Sequence, residues 1–243
     1  MRREYKSWKS NNMEKNMEML IFGDFGTPYL VFPTAKGRFF DWEDHGMITG
    51  LEHKLAQGHI KLYLVDGVDD ETWYAFHKPP HERLKQHLCW ENYIINEVLP
   101  FICEDCCKKG MQVGVTGADF GAYHAVNFFF KHPDCFCKLL SLSGVYDIRF
   151  LFSGYHDLDI YYNNPAEFIP NLQDEHILKE IKAAESLKLV AGQGAWEDNA
   201  LSSTKHLCQI LSDKQIAHEC LIWGHEVDHH WYWWRKQVEM YLD

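Results

Sequence analysis

Asp119 stands between two glycines in Gly117-Ala118-Asp119-Phe120-Gly121. An apolar run, Met111-Gln112-Val113-Gly114-Val115, precedes it, and Ala122-Tyr123-His124-Ala125-Val126-Asn127-Phe128-Phe129-Phe130 follows with helical character. Strand, glycine-flanked turn and helix together make the setting of a nucleophile elbow, where the glycines allow a tight turn that lifts the central side chain to an exposed tip. Carbonyl chemistry would place Ser at that tip; this chain has a carboxylate. Proteins built this way supply nucleophile, acid and histidine in that order. Gly192-Gln193-Gly194-Ala195-Trp196-Glu197-Asp198 follows an apolar run and offers Glu197 or Asp198 as the acid. Gly224-His225-Glu226-Val227-Asp228-His229-His230 offers three histidines in a loop, one of which could reach the elbow while a carboxylate fixes its tautomer.

Positioning these groups requires strands that alternate with helices. Met19–Phe22 and Tyr29–Phe32 are short apolar runs around a glycine-rich turn and predict a hairpin; Ile60–Val65 predicts a strand ending at Asp66-Gly67. Residues 47–55 read as a helix. From 82 to 106 apolar residues recur at helical spacing, with Pro100 as a kink or break. Residues 138–144 and 187–191 read as buried strands, 206–211 lie on a helix, 218–223 form a last strand and 231–242 a last helix. Residues 146–172 lack periodicity and are rich in Tyr, Phe, Asn and Pro, which predicts a lid or specificity insertion rather than a linker. The alternation predicts one α/β domain over residues 1–243, with a mostly parallel sheet and helices on both faces.

Composition narrows the function classes. The net charge of −11 and the absence of a Lys/Arg cluster argue against nucleic acid as a partner. No apolar run approaches a membrane span, and Met1-Arg2-Arg3-Glu4-Tyr5-Lys6-Ser7-Trp8 is too polar for a signal peptide. The eight cysteines, several crowded at 103–107 and 135–137, read as reduced thiols, so a cytoplasmic location is expected. Cys103, Cys106 and Cys107 share a helical face that reads as packed thiols rather than zinc ligands. A metal site at His225, His229 and His230 would need ligands converging from elsewhere, so neither metal nor cofactor is expected. The expected partner is a small-molecule substrate; a homo-oligomer is left open.

Several pieces together carry a resemblance: Val31-Phe32-Pro33-Thr34 with Gly37-Arg38-Phe39, the elbow with Ala122-Tyr123-His124-Ala125, His132-Pro133-Asp134, Leu142-Ser143-Gly144, Gly192 to Glu197, and His229-His230-Trp231-Tyr232-Trp233-Trp234-Arg235-Lys236. From about Tyr5 to Leu242 the chain resembles a bacterial branch of the putative-esterase family, within the α/β-hydrolase fold. The resemblance implies His229 as the catalytic histidine and Glu197 or Asp198 as the acid. It also implies oxyanion donors at the Phe120 N–H and in the loop at Thr34 and Ala35. At the nucleophile position the family pattern has Ser, and this chain departs from it with Asp119.

A carboxylate is ionised at neutral pH and needs no base to activate it. Attack on an ester would form a mixed anhydride by expelling an alkoxide, the poorer leaving group, so the intermediate would collapse backwards. Displacement at a saturated carbon is different: halide or a protonated epoxide oxygen can leave, and His229 can activate the water that cleaves the resulting ester. The elbow is similar to those of Asp-using dehalogenases and epoxide hydrolases. Two functions are therefore expected to compete: a hydrolase using Asp119, His229 and one of the two acids, and an esterase-derived pseudoenzyme that keeps the pocket for binding or assembly.

Overall fold

A computed structural model describes residues 2–243. The apolar runs become eight strands of one sheet: β1 (Arg3–Lys9), β2 (Asn16–Phe22), β3 (Thr27–Phe32), β4 (Ile60–Val65), β5 (Val113–Ala118), β6 (Phe136–Leu142), β7 (Ser186–Ala191) and β8 (Glu219–Ile222), in the order β1-β2-β4-β3-β5-β6-β7-β8. The β1–β2 and β2–β4 pairs are antiparallel, and every later pair is parallel. Strands β4 and β5 are buried along their whole length, which is why they read as unbroken runs rather than as alternating ones.

The helices are α1 (Asp41–Asp44), α2 (Met47–Ala56), α3 (Pro80–Tyr93), α4 (Leu99–Asp105), α5 (Phe120–Lys131), α6 (Leu158–Tyr162), α7 (Pro165–Asn171), α8 (Glu175–Lys182), α9 (Asp198–Asp213) and α10 (Trp231–Tyr241). Successive strand residues point to opposite faces and so divide the core in two. Met19, Ile21, Leu30 and Val115 pack under α3, α4, α5 and α9. Leu20, Phe22, Val31 and Leu142 pack under α2 and α10.

Three expectations need correction. The runs at 19–22 and 29–32 do not form a hairpin, because β4 lies between them. The intervening glycines serve close approach instead. Thr27 N–H donates to His59 O at 2.9 Å, and a Cβ on Gly26 would sit 2.5 Å from Ile60 N, so this turn is pressed against the start of β4. The hairpin is formed by β1 and β2, from an N-terminal strand with no apolar signature. Pro100 does not break its helix: α3 passes through a wide turn of π-helix at Ile94–Val98, and Pro100 falls in the first turn of α4. There a missing N–H costs little. Finally, the cysteines are not all free. Cys208 on α9 and Cys220 on β8 are joined in a disulfide, brought together because α9 packs back on the strand that follows it. That removes one support for a cytoplasmic location. No helix among the described residues is long and apolar enough to cross a membrane.

Candidate active site

The parallel strands deliver their following loops to one edge of the sheet. At the end of β5 the chain turns sharply through Asp119, whose φ of 56° and ψ of −122° lie outside the regions favoured by non-glycine residues. Asp119 N–H is fixed by Leu142 O at 3.0 Å. The flanking glycines are required by contact: a Cβ on Gly117 would lie 2.3 Å from Gly121 O, and one on Gly121 would lie 2.4 Å from Pro33 O. The helix therefore starts against both its own strand and the loop after β3.

The two carboxylate oxygens of Asp119 have different neighbours. Oδ2 accepts from the Ala35 N–H at 3.0 Å, and Oδ1 lies 3.3 Å from His229 Nε2. Burial pushes the Asp119 carboxyl up, but His229, Ala35 and Phe120 outweigh it and hold the group below the ordinary carboxylate range. Of the loop residues expected as oxyanion donors, Ala35 faces Asp119, whereas the Thr34 N–H donates to Asp41 Oδ2 at 3.0 Å.

On its other side, His229 Nδ1 lies 3.5 Å from Glu197 Oε1. Glu197 is 1% exposed, and its Oε1 also accepts from Ser143 Oγ at 2.6 Å. Ser143 in turn accepts from Trp234 Nε1 at 3.1 Å, while the Trp234 ring packs edge-on against His229 with centroids 4.9 Å apart. Asp198, the alternative acid, is exposed in the first turn of α9. His225 and His230 are exposed too, and His230 caps α10 by accepting from the Tyr232 N–H. Burial alone would lower the His229 pKa; Asp119 and Glu197 raise it to about 9, so the ring is an imidazolium between two carboxylates at neutral pH.

The loops after β7 and β8 are tied together, which sets Glu197 against His229. His229 N–H donates to Ala195 O at 2.9 Å, Ala195 N–H to Asp228 Oδ1 at 2.8 Å and Gly194 N–H to Val227 O at 2.9 Å. A Cβ on Gly192 would lie 2.1 Å from Val227 O, so the Gly-x-Gly of this loop exists to let the two backbones touch.

The 146–172 segment is built of one 3-10 turn, α6 and α7. Ile148, Leu151, Phe152 and Ile160 pack with Trp73 and with Phe120 and Tyr123 of the elbow helix, so the segment sits beside Asp119. A groove of about 860 Å³ lined by Leu99, Cys103, Cys107, Met111 and Cys135 opens at the opposite, amino-terminal edge of β5 and β6.

This arrangement has relatives. The family model described as putative esterase matches residues 36–241. The chain belongs to the putative-esterase family. It is thus a member of a hydrolase family, and its sheet is that of the α/β-hydrolase fold. A ferulic acid esterase structure is similar over 99% of this chain and 96% of its own, with 13% identity and a TM-score of 0.76. An S-formylglutathione hydrolase from Agrobacterium tumefaciens is similar over 99% and 92%, with 12% identity and a TM-score of 0.71. The S-formylglutathione hydrolase of Staphylococcus aureus covers 98% and 94%, with 11% identity and a TM-score of 0.69. At these identities the likeness is one of fold. No curated protein sequence matches the chain.

Ser143 and Trp234 gave no signal beyond a strand end and a tryptophan cluster in the sequence. Their roles depend on β6 and α10 meeting behind Glu197, which only the assembled sheet specifies.

Proposed function

We propose that this esterase-family protein is a hydrolase that uses Asp119 as a nucleophile at saturated carbon, with His229 as the later general base and Glu197 orienting it. The observation that carries this reading is the unequal setting of the two Asp119 oxygens, Oδ2 on the Ala35 N–H and Oδ1 on the His229 side. Oδ1 attacks the carbon, the carbon–halogen or carbon–oxygen bond breaks, and the leaving group departs with its electron pair. The carboxylate becomes a neutral ester. His229 loses one of the two charges that raise its pKa and gives up its proton, to the departing epoxide oxygen or, where halide leaves, to solvent; the neutral imidazole then accepts a proton from water. That water attacks Cγ, and the oxyanion forms on Oδ2, where the Ala35 and Phe120 N–H groups can stabilise it. Collapse releases an alcohol carrying Oδ1 and leaves the water oxygen on Asp119.

Residues 146–172 serve as the lid in this scheme. Exposed Phe150 and Tyr155 of that segment, with exposed Trp196 next to Glu197 in sequence, support a small and fairly apolar substrate. Ester hydrolysis, as named for the ferulic acid esterase neighbour, is the poorer fit to an elbow carboxylate.

One observation favours the second reading, an inactive esterase descendant that binds or assembles. His229 is already engaged by both Asp119 and Glu197, and Asp119 occupies the Ala35 donor that a substrate oxyanion would need. Assaying p-nitrophenyl esters, haloalkanes and epoxides with wild type, Asp119→Ala and Asp119→Ser separates the two. Turnover of a haloalkane or epoxide that vanishes in Asp119→Ala supports the hydrolase; no turnover across the panel supports the inactive descendant.

A further inference from the structure

Three successive backbone N–H groups of the turn after β3 are each held by a different aspartate. Thr34 N–H donates to Asp41 Oδ2 at 3.0 Å, Ala35 N–H to Asp119 Oδ2 at 3.0 Å, and Lys36 N–H to Asp69 Oδ2 at 3.1 Å. The turn closes with Gly37 N–H on Thr34 O at 2.8 Å, and Lys36 adopts a left-handed φ of 59°. Such a backbone is strained for a lysine and persists only where its surroundings hold it. From these contacts we infer that Asp41 and Asp69 are positioning residues, which clamp the two neighbouring N–H groups so that Ala35 alone aims its N–H at the reaction centre.

Asp41 reaches the turn from the start of α1 and binds it twice, since Thr34 Oγ1 also donates to Oδ2 at 2.7 Å. Its carboxylate lies so close to the chain that a Cβ on Gly37 would be 2.5 Å from Oδ2. Asp69 is 3% exposed and works from the other side. Its Oδ1 lies 2.9 Å from Nε2 of buried His124, which stands one helical turn after Phe120 on α5. The Phe120 and His124 rings are 5.0 Å apart. One carboxylate thus ties the Ala35 segment to the helix whose first N–H, that of Phe120, is the other donor. Buried carboxylates are costly to leave in an interior unless fully engaged, and both oxygens of Asp69 are engaged. The setting of two donors relative to each other is what oxyanion stabilisation depends on.

The role in catalysis rests on the hydrolase reading; the clamp itself does not. The first test therefore reads Asp119 directly, by carbon-13 NMR titration of its carboxyl in Asp69→Asn and Asp69→Ala. Both variants remove the same charge, but Asn keeps an acceptor for the Lys36 N–H. The clamp requires a higher Asp119 pKa in Asp69→Ala than in Asp69→Asn, with a shifted Ala35 amide resonance, because the Ala35 hydrogen bond is loosened. Equal Asp119 pKa values and an unmoved Ala35 amide in two folded variants would overturn it. Should Asp69→Ala fail to fold, Asp41→Asn against Asp41→Ala poses the same question from the more accessible side of the turn. The second test places these substitutions in the Asp119→Ser background and measures p-nitrophenyl acetate hydrolysis. A misaimed donor lowers kcat by up to about 10²-fold with KM little changed, and Asn restores most of the loss. If the NMR result holds and no esterase activity is seen in any variant, the clamp stands and its part in oxyanion stabilisation falls, while the hydrolase reading is decided separately by haloalkane and epoxide turnover of the wild type.

Discussion

His229 is flanked by two carboxylates that differ in almost everything but charge. Glu197 arrives from the loop after β7, its side chain 1% exposed and bonded by Ser143, which Trp234 holds in turn. Asp119 stands on a strained turn after β5 with its side chain 34% exposed, bonded by the Ala35 backbone N–H, which a reaction could use. A carboxylate fixed by side chains in the interior can orient and neutralise a histidine. One presented partly exposed at an elbow can attack. In the proposed mechanism burial divides the labour between two groups of the same chemistry.

The largest expected effect falls on the exposed carboxylate. Asp119→Ala should reduce haloalkane or epoxide turnover by about 10⁴-fold or more, measured as alcohol release, since nothing else at the elbow can attack. Asp119→Ser should do the reverse for short acyl esters and raise p-nitrophenyl acetate hydrolysis by roughly 10²-fold over wild type. Ordinary ester turnover by wild type that survives Asp119→Ala would remove the distinction between the two carboxylates.

A smaller effect is expected on the buried side. Glu197→Gln keeps the volume and an acceptor for Ser143, but removes one of the charges on His229. It should lower the rate by about 10²-fold and bring the histidine pKa down from about 9, read by proton NMR. Glu197→Ala should in addition cost about 1–3 kcal/mol of stability, because it strands the buried Ser143 hydroxyl.

Stability against pH gives a finer separation. The His229 pKa is raised to about 9, so its contribution is complete below the unfolded value of 6.5 and fades as pH rises through about 9. The Asp119 pKa is lowered, so its contribution is present above the unfolded value of 3.8 and is lost as pH falls through the depressed one. Urea midpoints measured from pH 3 to 10 should decline at both ends in wild type, and both slopes should flatten in Asp119→Asn. The smallest effect belongs to Trp196, 87% exposed beside Glu197: Trp196→Ala should change stability by no more than about 0.5 kcal/mol. A several-fold rise in KM for an apolar substrate would mark it as a contact.

Sequence patterns reveal the elbow and the loops after β7 and β8 because each is fixed locally, by glycines where backbones touch. The strands of the parallel core are legible for the same kind of reason: burial on both faces leaves no polar alternation. The partner of β2 is not legible, since apolar runs say that a strand is buried and not which strand lies beside it. Strand β1, exposed on alternate residues, carries no apolar signature at all. At the site, Glu197 and Asp198 are adjacent in sequence and equal in chemistry. Only the start of α9, which buries one and exposes the other, tells them apart. Asp41 and Asp69 are hidden among the 35 acidic residues of the chain, because their significance lies in which backbone N–H groups they reach.

The proposal that Asp119 is a covalent nucleophile is tested most directly by stopping the reaction halfway. His229→Gln leaves the elbow intact and removes the base needed for the second step. Incubated with a substrate that wild type turns over, this variant should accumulate an alkyl adduct in intact-mass analysis, mapped to Asp119 by peptide sequencing. Wild type in heavy-oxygen water should show only a fleeting adduct and should carry the label in the Asp119 carboxylate. A variant that stays unmodified across haloalkanes and epoxides, together with an unlabelled wild type, would contradict the account and leave Asp119 as a structural replacement for a lost nucleophile.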